Sequence, residues 1–350
     1  MLSRFLAVFC IALNLGVTRG DQPVFPRGKV EAFREANKIT STMIAVYTPL
    51  TQDGTLDVTN IPAYAKFVAA RNITNVLPAG SNGESLSLSV NERKALAEAW
   101  AAAAPPLGIK VYMHIGSESL VESQELAAHA ASLNSSIAGL VCMAPVYFKP
   151  TVGTLHDFLA AVASHAPQLP FWFYHFPDGT GVLPGQAHTL LEMADKSGKI
   201  PNLMGIKFTD YNLMDFQLCL QVGSGYNMLF GRDEEALAAL LLGADAAVSS
   251  TVGYSPTLRD AILLWNRGDR KGAVSAQMRN AKLCSFFAQY ESDAKNVQKS
   301  LMKVVGMDVG PSRLPKQDLS SAELKSLQVK LSSLNLLDAD VRTSAAHSTV

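Results

Sequence analysis

The sequence predicts a closed (β/α)₈ (TIM) barrel with a C-terminal helical extension, and two observations lead to this fold class. Short β-type runs alternate with longer helical patterns through eight successive units, with strand ends expected near Pro49, Gly80, Gly116, Pro145, Tyr174, Lys207, Gly231 and Ser250. Successive ends are about 19 to 36 residues apart, the size of βα units. An open doubly wound sheet is the alternative, but it would usually carry a glycine-rich loop after its first strand. The run from Ala45 to Leu50 has no such loop.

The barrel is expected to occupy residues 38–268. Four of its helices are predicted clearly, at Asn91–Ala104, Leu120–Leu133, Thr154–His165 and Glu234–Leu242. The second of these is amphipathic, because its apolar residues Leu126, Ala127 and Ala130 fall on one side at helical spacing. Such a helix is typical of the outer layer of a barrel, where one face packs on the sheet.

The remaining helical pattern predicts a C-terminal appendage at residues 269–337 that packs on the barrel. Two helices are predicted at Arg270–Gln289 and Ala294–Val305, followed by a rigid connector from Gly310 to Pro315. A last helix is predicted at Ala322–Leu334, with a serine at its N-cap, since Ser320 and Ser321 precede it. Residues 338–350 are mostly small and polar and predict a flexible tail.

The first 20 residues are interpreted as a secretory signal peptide. Met1 to Arg4 supplies a positive charge, Phe5 to Val17 is an apolar stretch of 13 residues, and Thr18 to Gly20 offers a cleavage site. The apolar stretch is too short to span a bilayer, although a signal anchor is the alternative interpretation. We therefore expect entry into the secretory pathway and secretion, with the lysosome and the endoplasmic reticulum lumen as the other destinations.

Charge and cysteine usage exclude several classes of function. Lys plus Arg and Asp plus Glu number 30 each, so no excess charge indicates nucleic acid or an anionic membrane surface. After signal removal Cys142, Cys219 and Cys284 remain, which form neither a disulfide framework nor a zinc motif. Asn72 and Asn134 begin glycosylation sequons, and we expect Asn134 to be the more exposed of the two.

Lys207 is the residue around which the predicted site is organised. It follows the apolar run from Pro201 to Ile206, which is too short for a helix and is predicted to be a buried strand. Burial disfavours the charged ammonium form, and a neutral lysine amine can attack a ketone to form a Schiff base. A structural lysine, either salt-bridged or extended to solvent, is the commoner explanation of such a residue taken alone.

Two further strand ends carry candidate site residues. In a barrel of this kind the chemistry lies at the C-terminal ends of the strands. Tyr174 ends the strand beside that of Lys207, where its hydroxyl can relay a proton; a plain rim residue is the alternative. Ser81 and Asn82 lie between two glycines in a tight turn that can present several donors to a carboxylate. An ordinary strand-to-helix loop is the competing interpretation of that turn.

These motifs together resemble the pyruvate-dependent class I aldolases related to dihydrodipicolinate synthase and N-acetylneuraminate lyase. The resemblance covers roughly Lys38 to Leu336 and is carried by Gly80-Ser81-Asn82-Gly83-Glu84, Tyr174-His175-Phe176-Pro177 and Gly205-Ile206-Lys207. Within the family the chain looks most like the animal N-acetylneuraminate lyase branch, in the stretches Leu86 to Arg93, Glu122 to Ala127, Phe230 to Glu234 and Gly310 to Pro315.

The resemblance implies cleavage of N-acetylneuraminate to N-acetylmannosamine and pyruvate, without a metal or organic cofactor, by a homotetramer. Lys207 would form the Schiff base and Tyr174 would move the proton, while Ser81 and the backbone at Asn82 would hold the substrate carboxylate. Tyr147 matches a tyrosine that reaches a neighbouring subunit's site. The positions that match binding of the hydroxylated sugar tail are Thr209, Gly231, Asp233, Glu234 and Ser250. The two acids would otherwise be interpreted as ordinary helix N-terminal carboxylates.

The sequence also departs from the family pattern near the substrate loops. Gly179 stands where the synthase branch needs an arginine for a second carboxylate, which argues against aspartate-semialdehyde chemistry. The lyases usually carry Ala-Leu at Asp178-Gly179, threonine at Asn82, and Tyr-Asn at Val252-Gly253. Two alternatives therefore stay open: an aldolase for another 2-keto-3-deoxy sugar acid, and a secreted sialic-acid-binding homologue without turnover.

Overall fold

The computed structural model describes residues 27–223, 225–291 and 296–338. Eight parallel strands form a closed barrel in sequence order, which confirms the predicted fold class. The strands are β1 Met43–Ile44, β2 Asn75–Val76, β3 Lys110–His114, β4 Gly139–Met143, β5 Phe171–His175, β6 Leu203–Phe208, β7 Asn227–Phe230 and β8 Ala246–Ser249. The predicted signal peptide and residues 339–350 of the predicted tail lie outside the described residues.

Helices surround the barrel and form the C-terminal extension. They are α1 Arg27–Ala36, α2 Ile61–Ala69, α3 Val90–Ala103, α4 Leu120–Ser132, α5 Val152–Ala163, α6 Pro177–Thr180, α7 Ala187–Ser197, α8 Leu213–Cys219, α9 Ala236–Leu242, α10 Thr257–Asn266, α11 Arg270–Glu291, α12 Val297–Val304 and α13 Ser321–Ser333. Ser320 is the N-cap of α13 and forms a capping box with Glu323. Within the described ranges, none of these helices has the length and apolarity needed to cross a membrane.

The first two strands end earlier than expected, and the predictions of Pro49 and Gly80 as their ends were wrong. After Ile44 the chain turns toward the C-terminal extension, where the Leu50 N–H donates to the Val309 carbonyl. After Val76 the chain reaches Pro78, which has no N–H for a strand ladder, and Ala79, whose φ is 54°. The segments beyond both strands are therefore loops at the C-terminal mouth of the barrel.

Helix α1, which the sequence did not indicate, lies across the opposite end of the barrel. The Arg34 Nε donates to the carbonyl of Leu203, the first residue of β6. Ile39 exchanges two hydrogen bonds of 3.0 Å with the side chain of Asn227, the first residue of β7. Ile39 is buried among the side chains that fill the barrel interior. Within the described residues α1 and Ile39 therefore cover this end, while a cleft opens at the C-terminal ends of the strands.

The C-terminal extension shares a core with the barrel. Leu283, Leu301 and Met302 belong to the same buried cluster as the outward-facing strand residues and the inner faces of the surrounding helices. At the end of the described chain, the Asp338 carboxylate pairs with Arg71 and Arg259. The extension therefore packs on the barrel as expected, while its boundary at residue 268 stays a prediction.

Candidate active site

Lys207 and Tyr174 lie side by side at the open end of the barrel. They are paired in the β5–β6 register, and the Lys207 Nζ lies 3.6 Å from the centroid of the Tyr174 ring. Both residues are buried, with 5% and 3% of their surface exposed. The Lys207 amine packs against the face of this ring, and none of the ion pairs of the described residues joins it to an acidic side chain.

A β-bulge in β6 turns Lys207 toward the interior. Phe171 pairs with Leu203, but the next residue of β5, Trp172, pairs with Gly205, so Met204 is an extra residue. Because side chains alternate between the two faces of a strand, one inserted residue reverses the facing of every later side chain. Gly205 is required here, since a Cβ atom would lie 2.2 Å from the carbonyl oxygen of Asn227. Without the bulge, Lys207 would face outward beside His175.

The turn after β2 lies against Tyr174. The Tyr174 hydroxyl and the Ser81 Oγ are 3.2 Å apart, and the Asn82 Nδ2 donates to the Ala45 carbonyl at 3.3 Å. The Thr48 hydroxyl donates to the Gly83 carbonyl at 2.6 Å. These bonds fix the turn so that the Ser81 hydroxyl and Tyr174 converge on the same space in front of the Lys207 amine.

A buried ion pair supports this turn from behind. The Lys299 Nζ lies 2.8 Å from the Glu84 carboxylate, and their side chains are 0% and 2% exposed. Burial lowers the pKa of Lys299, and the neighbouring Glu84 carboxylate opposes that shift. The backbone N–H of Arg313 donates to the second Glu84 oxygen. The C-terminal extension therefore holds the turn that carries Ser81.

A neutral histidine completes the surroundings of Tyr174. The His114 ring lies edge-on to Tyr174 with centroids 6.1 Å apart. Burial, together with the charges of Arg93 and Lys207, lowers the pKa of His114 well below its ordinary value. The imidazole is consequently uncharged at neutral pH and adds no positive charge beside the amine. Among the described residues, no cluster of three or more histidine, cysteine or acidic side chains could hold a metal ion.

The residues matched to sugar-tail binding lie at the ends of β6, β7 and β8. The Thr209 hydroxyl is buried without a hydrogen-bond partner in the described chain, and a Cβ atom at Gly231 would lie 2.0 Å from it. The Asp233 Oδ2 accepts from the Ser249 hydroxyl at 2.7 Å, the Ser250 N–H at 3.1 Å and the Thr251 N–H at 2.8 Å. Burial raises the pKa of Asp233, and these donors oppose the shift.

A cleft of about 680 Å³ brings the predicted site residues together. Its lining includes both predicted catalytic residues and every predicted substrate-binding residue, namely Lys207, Tyr174, Ser81, Asn82, Thr209, Gly231, Asp233, Glu234 and Ser250. Tyr147 does not line it and is 79% exposed on the protein surface. The structure thus assembles the predicted site in one place, while the role of each residue in it stays a prediction.

Sequence reasoning missed two groups of cleft residues. The first comes from the C-terminal extension and comprises Ala281, Cys284, Ser285, Phe287, Gln298 and Lys316. No local motif marks these residues, because the extension was predicted only to pack on the barrel. The second group is Tyr211 and Arg232. These residues lie close in sequence to Thr209 and Asp233, and that closeness could have identified them as cleft residues.

Comparisons with known proteins agree in family and in fold. A model of the dihydrodipicolinate synthetase family matches residues 38–334. The N-acetylneuraminate lyases of Homo sapiens and Gallus gallus are 35% and 34% identical to this chain; the alignments cover 86% and 87% of it and 94% and 98% of those proteins. The solved structures of the Proteus mirabilis and Aliivibrio salmonicida N-acetylneuraminate lyases superpose with TM-scores of 0.79 and 0.78 at 32% and 30% identity. They cover 86% of this chain and 100% and 98% of their own.

The bulge predicts that Gly205→Ala will be strongly destabilising. The added methyl group would overlap the Asn227 backbone, so we expect the free energy of unfolding to fall by about 1–3 kcal/mol. Denaturant unfolding monitored by circular dichroism measures this. Gly153→Ala is the control, because nothing lies within 4 Å of its added Cβ in helix α5, and it should stabilise the protein slightly. Equal stability of both variants would contradict the bulge geometry.

Proposed function

Because this chain belongs to the dihydrodipicolinate synthetase family, we propose that it is a Schiff-base (class I) aldolase that cleaves N-acetylneuraminate to N-acetylmannosamine and pyruvate. The observation that carries the proposal is the buried amine of Lys207 against Tyr174, with the Ser81 hydroxyl beside the phenol. The choice of N-acetylneuraminate as the substrate follows from the relatives that are named N-acetylneuraminate lyase.

The first half of the reaction forms the Schiff base. The neutral Lys207 amine adds to the C2 carbonyl of the open-chain sugar acid, and loss of water leaves an iminium. Ser81 and the backbone at Asn82 hold the C1 carboxylate, which fixes C2 in front of the amine. The cleft fixes both partners before they react, so that addition becomes an effectively unimolecular step.

The second half breaks the C3–C4 bond. Tyr174 accepts the proton of the C4 hydroxyl while its own phenolic proton passes to the substrate carboxylate, and the electrons of the C3–C4 bond pass to the iminium nitrogen. N-acetylmannosamine leaves as the aldehyde and an enamine stays on Lys207. Protonation of the enamine at C3 and hydrolysis by water then release pyruvate and restore the amine.

Another 2-keto-3-deoxy sugar acid is the alternative substrate. Asp178 and Arg232 form an ion pair at the cleft mouth, and Asp178 and Gly179 replace the Ala-Leu expected from the resemblance. None of these residues contacts Lys207 in the described chain, so we expect them to alter which substrate tail is preferred and to leave the Schiff-base chemistry in place. Product analysis over a panel of sugar acids separates the two substrates.

Trapping with pyruvate tests the chemistry itself. Incubation with pyruvate and borohydride should reduce the imine to a stable adduct on Lys207, which peptide mass spectrometry locates. Lys207→Ala should abolish the adduct, whereas Lys316→Ala, which removes the other lysine of the cleft, should retain it. An unmodified Lys207 in a protein that still binds sialic acid would overturn the enzyme proposal in favour of a non-catalytic binder.

We further propose a homotetramer in which Tyr147 reaches a neighbouring cleft. Tyr147 and Phe148 are 79% and 78% exposed and pack edge to face with centroids 4.9 Å apart. The Glu118 carboxylate accepts from the backbone N–H groups of Val146, Tyr147 and Phe148, which fixes the segment that presents them. An exposed, rigid aromatic pair is typical of a protein interface.

Light scattering during size-exclusion chromatography checks this assembly. The wild-type protein should elute with the mass of four chains, and the double substitution Tyr147→Ser with Phe148→Ser should shift the mass toward smaller species. Leu241→Ser, which removes another exposed apolar side chain, serves as the surface control. A wild-type monomer with full activity would contradict the proposal.

The secretory destination of the chain is a proposal that rests on residues 1–20. Both sequon asparagines, Asn72 and Asn134, are exposed, including the one expected to be less accessible. The full chain expressed in animal cells should therefore be recovered from the medium, beginning after residue 20 and carrying N-glycans that glycosidase removes. Glycosidase treatment should therefore increase the electrophoretic mobility of the secreted protein, and the double substitution Asn72→Gln with Asn134→Gln should abolish that change. A chain that stays in the cytosol with its first residues intact would contradict the signal peptide.

A further inference from the structure

One ion pair joins the carboxyl ends of the strands on either side of Lys207. Asp178 lies in helix α6, directly after β5, and Arg232 lies directly after β7. Their side chains form an ion pair through Arg232 Nη2. Because β6 lies between β5 and β7 in the barrel, this pair crosses above the end of the strand that carries Lys207.

Tyr211, which follows β6, joins the same cluster. The Arg232 guanidinium lies 4.1 Å from the centroid of the Tyr211 ring, and its Nη1 donates to the Tyr211 hydroxyl at 3.3 Å. That hydroxyl in turn donates to the Glu234 Oε1 at 2.5 Å. Burial and the adjacent Glu234 raise the pKa of Tyr211, so its hydroxyl stays protonated and keeps donating. We name the residues Asp178, Arg232, Tyr211 and Glu234 the rim cluster.

The rim cluster fixes the position of the Glu234 side chain. One oxygen of the Glu234 carboxylate accepts from Tyr211 and the side chain also contacts Cys284, but a carboxylate has about four acceptor sites and can accept further hydrogen bonds from a ligand. Arg232 is the cation beside it, but Arg232 is already paired with Asp178. Asp233 and Glu235 also lie in this turn, so three consecutive acids line this side of the cleft mouth, while Lys207, Arg232 and Lys316 are the basic residues of the cleft lining. A neutral, hydroxyl-rich tail suits such a mouth, whereas a second carboxylate on the substrate would be repelled.

Phe176 fills the space that Gly179 leaves. A Cβ atom at Gly179 would lie 2.2 Å from the Phe176 ring, so only glycine fits against it. The ring stacks on Tyr174 at 5.8 Å and faces the Arg232 guanidinium at 5.5 Å. A continuous row of Tyr174, Phe176, Arg232 and Tyr211 therefore connects the reacting centre with the rim cluster along one wall of the cleft.

From this geometry we propose that Arg232 is a positioning residue for substrate specificity. Through Asp178 and Tyr211 it holds Glu234 as the hydroxyl acceptor for the uncharged polyol tail of a long sugar acid. The inference rests on the proposed aldolase function and deepens it. It states that the rim cluster makes the enzyme prefer substrates with a long, neutral tail over substrates with a short or acidic one.

The test compares a long substrate with one that has no tail. Arg232→Ala should raise the KM for N-acetylneuraminate about tenfold with little change in kcat, the loss expected when one charge-assisted contact is no longer oriented. The same variant should trap pyruvate with borohydride at the wild-type rate, because pyruvate has no polyol tail for Glu234 to bind. Tyr211→Phe should reproduce the KM effect in part, since it removes only the hydroxyl that joins Arg232 to Glu234.

Two variants control for folding and for general loss of an arginine. Arg232→Lys keeps the charge but cannot bridge Asp178 and Tyr211 together, so it should recover only part of the affinity. Arg270→Ala is the matched control, because Arg270 also stacks on an aromatic ring, at 3.6 Å from the Trp265 centroid, but lies outside the cleft. Its KM should equal that of the wild type, and thermal unfolding verifies that each variant is folded.

The outcomes separate this inference from the function on which it rests. If wild-type protein fails to trap pyruvate, the aldolase proposal fails. If the wild type traps pyruvate and cleaves the sugar acid but Arg232→Ala leaves the KM for the long substrate unchanged, the positioning role is wrong. An equal rise in the KM for a six-carbon 2-keto-3-deoxy acid, which lacks the long tail, would also overturn it.

Discussion

The single extra residue in β6 is the constraint on which the candidate site depends. Inserting Met204 before Gly205 reverses the facing of the rest of the strand, so that Lys207 points into the barrel and Ile206 points out to the helices. The insertion is possible because Gly205 has no Cβ to meet the Asn227 carbonyl. A buried lysine at this place therefore results from backbone register, which explains why its amine lies against a ring and does not extend to solvent.

The second requirement is that the C-terminal extension and the barrel mouth fold together. Glu84 is a buried carboxylate in the turn that carries Ser81, and it would be costly to bury without the Lys299 ammonium. Gln298, one residue earlier in α12, lines the cleft and accepts from the Tyr254 hydroxyl at 2.9 Å. The same short helix thus supplies the counter-charge behind the turn and part of the cleft wall in front of it. The barrel alone would leave Glu84 unpaired and this wall missing.

Much of this architecture could be read from local sequence patterns. The eight βα units, the helices of the extension and a serine cap at Ser320 or Ser321 follow from hydrophobic period and capping residues, which are local signals. The prediction that Tyr174 and Lys207 lie side by side on adjacent strands was correct. Adjacency alone is not enough, however, because the bulge in β6 is needed for both side chains to point into the barrel. Helix α1, the Glu84–Lys299 pair and the Asp178–Arg232 pair join residues that are distant in sequence. No local sequence pattern predicts such contacts, because each partner taken alone is an ordinary charged or amphipathic residue.

The sequence predicts the same role for two neighbouring acids after β7, and the structure distinguishes them. Asp233 and Glu234 were both candidates for accepting sugar hydroxyls, with a helix N-terminal role as the alternative. The Asp233 Oδ2 instead accepts four hydrogen bonds from the end of β8, so the accepting capacity of this oxygen is used to shape the Ser249–Thr251 segment. Glu234 has one oxygen held by Tyr211 and lies on the cleft wall. The Asp233 Oδ2 therefore shapes the pocket, whereas its Oδ1 takes part in none of these bonds. Glu234 differs from it in being oriented by the rim cluster.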